Sequence, residues 1–347
     1  MATRMFDEQD DRIRAIKTSL TKTREKRSEQ RTPEQRAAEL HQLEMDLGLA
    51  VIHRPPARLD LRFSPIFCFQ ACLPHSPVRL ADVDSQGRWI RRNGDFTLRI
   101  QSIDGPANIP YGKYSRLFLL WLTNEANRSS TSISQSGELS YQGSYRKFCS
   151  ELRVDPACGV NGPGRRLIEQ INRVINTSFE IEYVQKRAGK IERQRRHFYI
   201  TSELHQSWDA NRGPKDWMHV AKGGFKLSAD FVEEIRKHKF PVDDRVMEEI
   251  MAGRSPFRID LYHWLAYRNH ELCRSKREFT SVISWDDLRG QFGGVYKNVD
   301  DFRASFRTEL DVVKRLWPDL QYSAAAQGFI LKRSREPVPG KAEARFA

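Results

Sequence analysis

One order of elements occurs twice along the chain and limits the available folds more than any other feature. In the first half an apolar helical stretch, Tyr114 to Ala126, precedes a short helix in "GSYRKFCSELRV". A glycine-rich turn and a long amphipathic helix, "PGRRLIEQINRVINTSF", come next, then the strands "FEIEYV" and "HFYIT" around a basic turn. In the second half "FRIDLYHWLAYRNHEL" leads to "SWDDLRGQFGG" and a polar turn. The long helix "DDFRASFRTELDVVKRLWP" and the strands "LQYS" and "FILKR" follow. Helix, helix, turn, helix, strand, turn, strand is the order of a winged helix-turn-helix domain. Repetition of a whole supersecondary unit implies two similar modules. The expected class is α+β: two tandem winged helix-turn-helix domains with a flexible, partly helical N-terminal arm.

Local chemistry agrees with this order. Ser284 and Asp287 form a capping box, Asn298 with Asp301 caps the second long helix, Pro163 opens the first and Pro318 stops the second. In "WIRRNGDFTLRI", Asn93-Gly94 predicts a hairpin through a type I′ turn. "TPEQRAAELHQLEMDLG" predicts a further helix with Thr32 as N-cap, Pro33 at N1 and Gln35 at N3. Ala37, Leu40, Leu43 and Leu47 form its apolar stripe, and Gly48 ends it. The expected organisation is an arm and amphipathic helix over 1–60, a first domain over 61–204 and a linker over 205–224. A second domain over 225–335 and a tail over 336–347 complete it.

The chain has 58 Lys and Arg against 45 Asp and Glu, a formal net charge of +13 over 347 residues. Such a surplus most often meets nucleic acid, because cations displace the counterions condensed on phosphates. Attachment to ribosomes or membrane surfaces would give the same balance. No apolar run reaches bilayer length and the N-terminus lacks a signal-peptide core, so a soluble cytoplasmic protein with no membrane partner is expected. Five cysteines, an odd number without a secretion signal, favour reduced thiols. Cys68, Cys72 and His75 have a spacing compatible with a metal, but no fourth ligand stands out. "IFCFQACLPH" reads more simply as an apolar strand with small buried cysteines, and neither metal nor cofactor is expected.

The turn "GVNGPGRR" has Gly159, Gly162 and Gly164 but no following Gly-Lys-Ser/Thr, so a phosphate-binding loop of the Walker type fails. In the winged-helix reading Arg165 and Arg166 occupy the first turn of a recognition helix, with Gln170 and Arg173 further along, while Leu167, Ile171, Val174 and Ile175 face the core. The bland alternative for the two arginines is solvated surface charge. The first wing, "VQKRAGKIERQRRHFYI", collects Lys186, Arg187, Lys190, Arg193, Arg195 and Arg196 with only Glu192 opposing them. A wing so charged suits phosphates or the minor groove. On the second long helix Arg303, Arg307, Lys314 and Arg315 are the cations, and Phe302, Phe306, Leu310 and Val313 the apolar face. Asp300 and Asp301 in its first turn suit the helix dipole better than phosphate. No catalytic residue is expected. The histidines are scattered, no His-x-His pair stands near an isolated tyrosine, and Asp230 with Glu233 reads as a solvated helix face.

"PYGKYSRLFLLWLTNEA", "FKLSADFVEEIRKHKFPVDDRVMEEI", "SPFRIDLYHWLAYR" and "ISWDDLRGQFGG" together resemble the plasmid-encoded RepA family of replication initiators. The likeness runs from Leu73 to about Pro339, and "SPFRIDLYHWLAYR" and "SWDDLRGQFG" are its more specific pieces. Gln170 and Arg173 stand where that family has a Gln-x-x-Arg step in an arginine-containing helix. The resemblance implies a protein that binds directly repeated sites, iterons, in double-stranded plasmid origin DNA. It would help open an adjacent A·T-rich segment, recruit the host initiator and replicative helicase, and repress its own promoter. One strand of the opened origin and a second copy of the chain are further candidate partners. Three rivals stay open: a repressor on palindromic half-sites, a relaxase with a tyrosine–DNA adduct, and a nucleoid protein without sequence preference.

Overall fold

Helix and strand alternate because the apolar spacing alternates between periods of 3.6 and two. The structure, a computed structural model, describes residues 14–20, 35, 38–39, 42–43, 46, 61–128, 144–159, 161–187, 190–204, 225–293, 296 and 298–337. Residues 14–20 are helical. Of the expected arm helix, Gln35 and Leu43 are helical, whereas Thr32, Pro33, Ala37, Leu40, Leu47 and Gly48 lie outside the described residues, as does the linker 205–224.

The first half begins with β1 (Leu61–Pro65) and a helical turn, Phe67–Gln70. Strands β2 (Trp89–Asn93) and β3 (Phe96–Ser102) follow, then helices α1 (Gly112–Asn127), α2 (Tyr145–Glu151) and α3 (Pro163–Ile175). β4 (Thr177–Arg187) and β5 (Lys190–Tyr199) join the first hairpin in an antiparallel sheet of order β2-β3-β4-β5. Alternation turns Leu98, Ile100, Phe179, Ile181 and Phe198 inward, into the core that holds Leu167, Ile171 and Val174 of α3.

The first half ends with β6 (Thr201–Leu204), and the second contains β7 (Phe225–Leu227), α4 (Ala229–Lys237), β8 (Lys239–Asp243), α5 (Asp244–Ala252) and α6 (Pro256–Ser275). After these come β9 (Ile283–Ser284), α7 (Trp285–Phe292), α8 (Val299–Leu316), β10 (Gln321–Ala324) and β11 (Gly328–Lys332), with sheet order β10-β11-β9. The caps do what their chemistry suggests. Ser284 Oγ accepts from Asp287 N–H at 3.0 Å and Asn298 Oδ1 from Asp301 N–H at 2.8 Å. Phe257, Trp264, Phe292, Phe302, Phe306 and Phe329 interlock here, with ring centroids 5.1–6.1 Å apart across the contacting pairs. The described residues are thus a mixture of helices and antiparallel sheets, α+β, and the repeated element order occurs in both halves.

Two local readings need correction. The first hairpin pairs Asn93 with Phe96, so its loop is Gly94-Asp95. Gly94 alone takes a positive φ, +54°, which matches a type II′ turn instead of type I′. The cysteine segment is also not a strand. Phe67, Cys68 and Phe69 are buried on a helical turn, because a continuously apolar run carries no period that separates helix from strand.

The halves share more than a connecting segment. β1 pairs antiparallel with β8, and β6 with β7. Arg116 of α1, 4% exposed, forms a bidentate pair with Asp260 of α6, 2% exposed, with Nε–Oδ1 and Nη2–Oδ2 both 2.7 Å. Its remaining donors reach Pro74 O (3.2 Å), Gly112 O (2.7 Å) and Leu73 O (2.7 Å), so all five N–H groups are met. His75 Nε2 lies 2.7 Å from Asp260 Oδ2. Nearby, Arg91 of β2 stacks 4.5 Å from the Trp89 centroid and donates to Gln291 O at 3.1 Å, at the C-terminal end of α7. A Cβ on Gly293, whose φ is +59°, would stand 2.0 Å from that guanidinium.

Removing one partner of a buried pair strands the other charge, so Asp260→Ala is expected to cost about 3–5 kcal/mol, read as a lowered urea midpoint. Acid should destabilise in two stages. Burial pushes the His263 imidazole down from 6.5 to about 4. Burial would raise the Asp260 carboxyl, but the Arg116 charge and the hydrogen bonds from His75 and Arg116 hold it down at about 2, against 3.8. In both cases the unfolded chain binds more protons, so stability is lost as pH falls, first from 6.5 toward 4 and then from 3.8 toward 2. Each stage amounts to about 2–3 kcal/mol, and urea titrations across that range should resolve the upper one before global unfolding.

Candidate nucleic-acid interface

The turn into α3 explains its glycines. Gly162 N–H donates to Gly159 O at 2.8 Å and Gly164 N–H to Ala157 O at 3.0 Å, closing the turn on itself. A Cβ on Gly162 would sit 2.2 Å from Ala157 O, and one on Gly164 would sit 2.2 Å from the Tyr145 hydroxyl and 2.8 Å from Pro156 O. Close packing of the turn's backbone on itself, and of Gly164 on the Tyr145 side chain of α2, therefore requires these glycines. Ser144 caps α2 by accepting from Lys147 N–H at 3.2 Å, and Gly162 with Pro163 opens α3. Leu167, Ile171, Val174 and Ile175 are all at most 1% exposed and anchor the inner face. Arg165 and Arg166 are exposed at the opposite side of the first turn and form no ion pair among the described residues. Two guanidinium groups beside the positive end of a helix favour an anion.

The same helix removes two expected contacts. Gln170 is 3% exposed, and its Oε1 accepts from Tyr111 N–H at 2.9 Å. Arg173 pairs with Glu169 at 3.0 Å, donates to Ala107 O at 2.5 Å and stacks 5.1 Å from the Tyr111 ring centroid. Both tie α3 to the 107–111 loop, Gln170 from inside and Arg173 with only 17% of its side chain exposed. Helical spacing puts Gln170 on the face of Leu167, three residues before it, and Val174, four after it, which is a readable sign of its burial, whereas Arg173 carries no such sign.

The β4–β5 hairpin is less one-sided than its sequence indicates. Glu180 and Glu182 of β4 stand opposite His197 and Arg195 in the register. Arg195 Nε is 3.2 Å from Glu180, Arg193 Nε is 3.0 Å from Glu182, and Arg99 of β3 pairs with both glutamates at 2.6 and 2.8 Å. The Arg99 hydrogen bond in particular holds the Glu182 carboxyl below its ordinary range, against the pull of burial. Arg193 and Arg195 still expose 62% and 50% of their side chains, and pairs at that exposure are worth little, so a phosphate can replace their partners. Lys190 is exposed. Arg196 points the other way, to Glu234 of α4 at 2.5 Å and to His238 at 2.9 Å, and serves packing between elements. The backbones of Lys186 and Arg187 continue β4, and their side chains lie outside the described residues. Glu192 is therefore not the hairpin's lone counter-charge. Period-two spacing in "FEIEYV" already placed Glu180 and Glu182 on one face.

On α8, Arg307 is exposed without an ion pair among the described residues. Arg303 is partly covered, lying 5.4 Å from the Trp285 ring centroid and 3.1 Å from Asp300. Lys314 is spent on its own helix end, donating to Pro318 O at 2.7 Å and Leu320 O at 2.6 Å. The cysteines and histidine weighed for a metal are also engaged. Cys68 and Cys72 lie in the apolar core and His75 bonds Asp260. No described helix is long and apolar enough to cross a membrane.

The profile of the plasmid encoded RepA protein family matches residues 109–287, from just before α1 into the first turn of α7. The chain belongs to that family, the group of replication initiators its sequence resembles. Comparison with curated proteins returns no match. Among solved structures, selenomethionine derivatives of domains 2 and 3 of RctB align at 12% identity and a TM-score of 0.43, over 82% of this chain and 94% of that one. RctB domains 2–3, residues 155–483, align at 13% identity and a TM-score of 0.29, over 67% and 77%.

Because Gln170 is buried against an otherwise unmet backbone donor, Gln170→Leu should destabilise by about 1–3 kcal/mol. Arg165→Ala should stay within about 0.5 kcal/mol of the parent, as exposed substitutions do. Equilibrium unfolding of the two variants distinguishes a packing residue from a contact residue.

Proposed function

We propose that this protein is a plasmid replication initiator that binds repeated sites in the origin as sequence-specific duplex DNA. The observation that carries the reading is the Arg165–Arg166 pair, exposed on the first turn of a helix whose other face is fully anchored, in a chain of the RepA family. In this reading residues 61–204 and 225–335 are two winged-helix modules, with α3 and α8 as recognition helices and β4–β5 and β10–β11 as wings. Arg165, Arg166 and Arg307 reach base edges or the adjoining phosphates. Arg193 and Arg195 exchange their carboxylate partners for backbone phosphates, and exposed Lys190 meets a further phosphate beside them.

The two modules act on adjacent groove segments, and their covalent and packed connection raises the effective concentration of the second contact. Bending and wrapping supply the work that helps open the A·T-rich segment. The protein performs no bond-breaking step itself, works in the bacterial cytoplasm and hands the opened origin to host initiator and helicase. Repression of its own promoter would use the same contacts.

Selection of duplexes from a random pool, with the winners retested at two salt concentrations, tests the reading. A motif whose preference survives the higher salt, and which binds more tightly as direct repeats than as a palindrome, is the expected result. Binding without sequence preference, or a preference for palindromes only, overturns it. Replacing Arg165 and Arg166 together with alanine should weaken specific binding by about 1–3 kcal/mol per lost base contact and leave nonspecific binding nearly unchanged. Replacing Arg193 and Arg195 should lower affinity for every duplex and flatten the salt dependence by about one phosphate equivalent per arginine.

A further inference from the structure

Two thiols share one hydroxyl at the turn that seats α3. Cys158 is exposed, alone among the five cysteines. Its Sγ donates to the Tyr145 hydroxyl at 3.3 Å and lies 3.2 Å from Pro156 O. Cys149, buried one helical turn beyond Tyr145 on α2, interacts electrostatically with the same hydroxyl and with Cys158. That oxygen also packs over Gly164, where a Cβ would stand 2.2 Å away. Tyr145 is thus the contact point between α2, the turn and the first residues of α3, next to Arg165 and Arg166. The other cysteines lack this arrangement. Cys68 and Cys72 are buried in the core, and Cys273 is half-buried with its Sγ 3.8 Å from Ser334 O.

We propose that Cys149 and Cys158 form a reversible intramolecular disulfide that disturbs the Tyr145 contact with Gly164 and withdraws Arg165 and Arg166 from DNA. The oxidant is a peroxide, and exposure sets the order of events. With hydrogen peroxide as oxidant, the Cys158 sulfur attacks one peroxide oxygen and the O–O bond breaks, leaving a sulfenic acid on Cys158 while the displaced hydroxide takes the thiol proton and departs as one water. The Cys149 sulfur then attacks the sulfenic sulfur, the S–O bond breaks and the S–S bond forms. The Cys149 proton leaves with the hydroxyl as a second water. Two thiols are oxidised to a disulfide while the peroxide is reduced to two waters. A dithiol returns both cysteines by exchange. A disulfide has no S–H group, so the donation from Cys158 to the Tyr145 hydroxyl is lost, and closing the sulfurs to about 2.0 Å draws the turn that carries Cys158 toward Cys149 on α2. That movement shifts the turn against the Tyr145 hydroxyl and disturbs its contact with Gly164. Burial raises the Cys149 thiol, which keeps it protonated and inert until Cys158 has reacted.

The cross-link does not depend on the proposed function, whereas its effect on DNA rests on it. The full chain is treated with hydrogen peroxide, and its intact mass and digested peptides are measured. Binding to the selected duplex is followed by fluorescence anisotropy before oxidation, after it, and after dithiothreitol. The expected result is loss of two hydrogen atoms with a 149–158 linked peptide, and affinity weakened about tenfold or more and restored by the reductant. Cys158→Ser, at an exposed position, should fold as the parent does and keep its affinity under peroxide. Oxygen addition at Cys158 without the linked peptide overturns the disulfide. A linked peptide with unchanged affinity overturns its coupling to α3. Failure of the reduced protein to bind any duplex rejects the proposed function instead, and the mass measurement still decides the cross-link.

Discussion

The buried pair of Arg116 with Asp260 is the constraint around which the two halves are arranged. A guanidinium and a carboxylate removed from water cost several kcal/mol each unless every donor and lone pair is met. Here the requirement reaches into three separate segments. Arg116 comes from α1, Asp260 from α6, and the carbonyls of Leu73 and Pro74 with the His75 ring come from the stretch between the first helical turn and β2. None of these can shift without leaving an unpaired charge in the core. The strand pair β1–β8 and the insertion of Arg91 against the end of α7 extend the same junction on either side. The halves are therefore connected by packing and ion pairing as well as by the chain.

That junction also alters what the formal charge means. A surplus of +13 invites the picture of a uniformly cationic surface. Much of the arginine is instead structural. Arg116 is fully enclosed, Arg91 lies against Gly293 and the α7 end, Arg173 holds the 107–111 loop and Arg196 reaches Glu234. Arginine suits these roles because its planar fork satisfies several carbonyls at once while a stacked ring covers its face. Among the described residues the exposed cations include Arg165 and Arg166 on α3, Arg307 on α8 and Lys190, Arg193 and Arg195 on β5, beside others such as Arg146, Arg254, Lys276 and Lys332. The first group is set apart by its place on the two long helices and the basic hairpin, whose buried faces are anchored, and that suits readout of a site.

The turn before α3 is where geometry and chemistry meet most closely. Its glycines let backbone approach backbone, the Tyr145 hydroxyl covers the gap at Gly164, and two thiols use that hydroxyl as their partner. The aim of the exposed arginines is thus set by a contact made by a residue about twenty positions earlier in the chain. "GVNGPGRR" contains the glycines but not the tyrosine that makes them necessary.

The sequence by itself determined the repeated run of helices and strands, its caps and the apolar faces of α3 and α8. These follow from interactions within a few residues: periodicity, an Ser or Asn side chain meeting a nearby N–H, a proline without one. The burial of Leu167, Ile171, Val174, Phe302 and Phe306 was legible on the same grounds. The tertiary structure alone decided which polar side chains are spent inside. Arg116 meets a carboxylate 144 positions away, Arg173 a carbonyl 66 positions away, and Gln170 an N–H 59 positions away. An arginine has the same charge and reach at every position, and nothing in the adjacent residues marks whether carbonyls from a distant loop will close around it. Local sequence therefore sets where a cation can stand on its element, and only the fold decides whether it remains available to DNA.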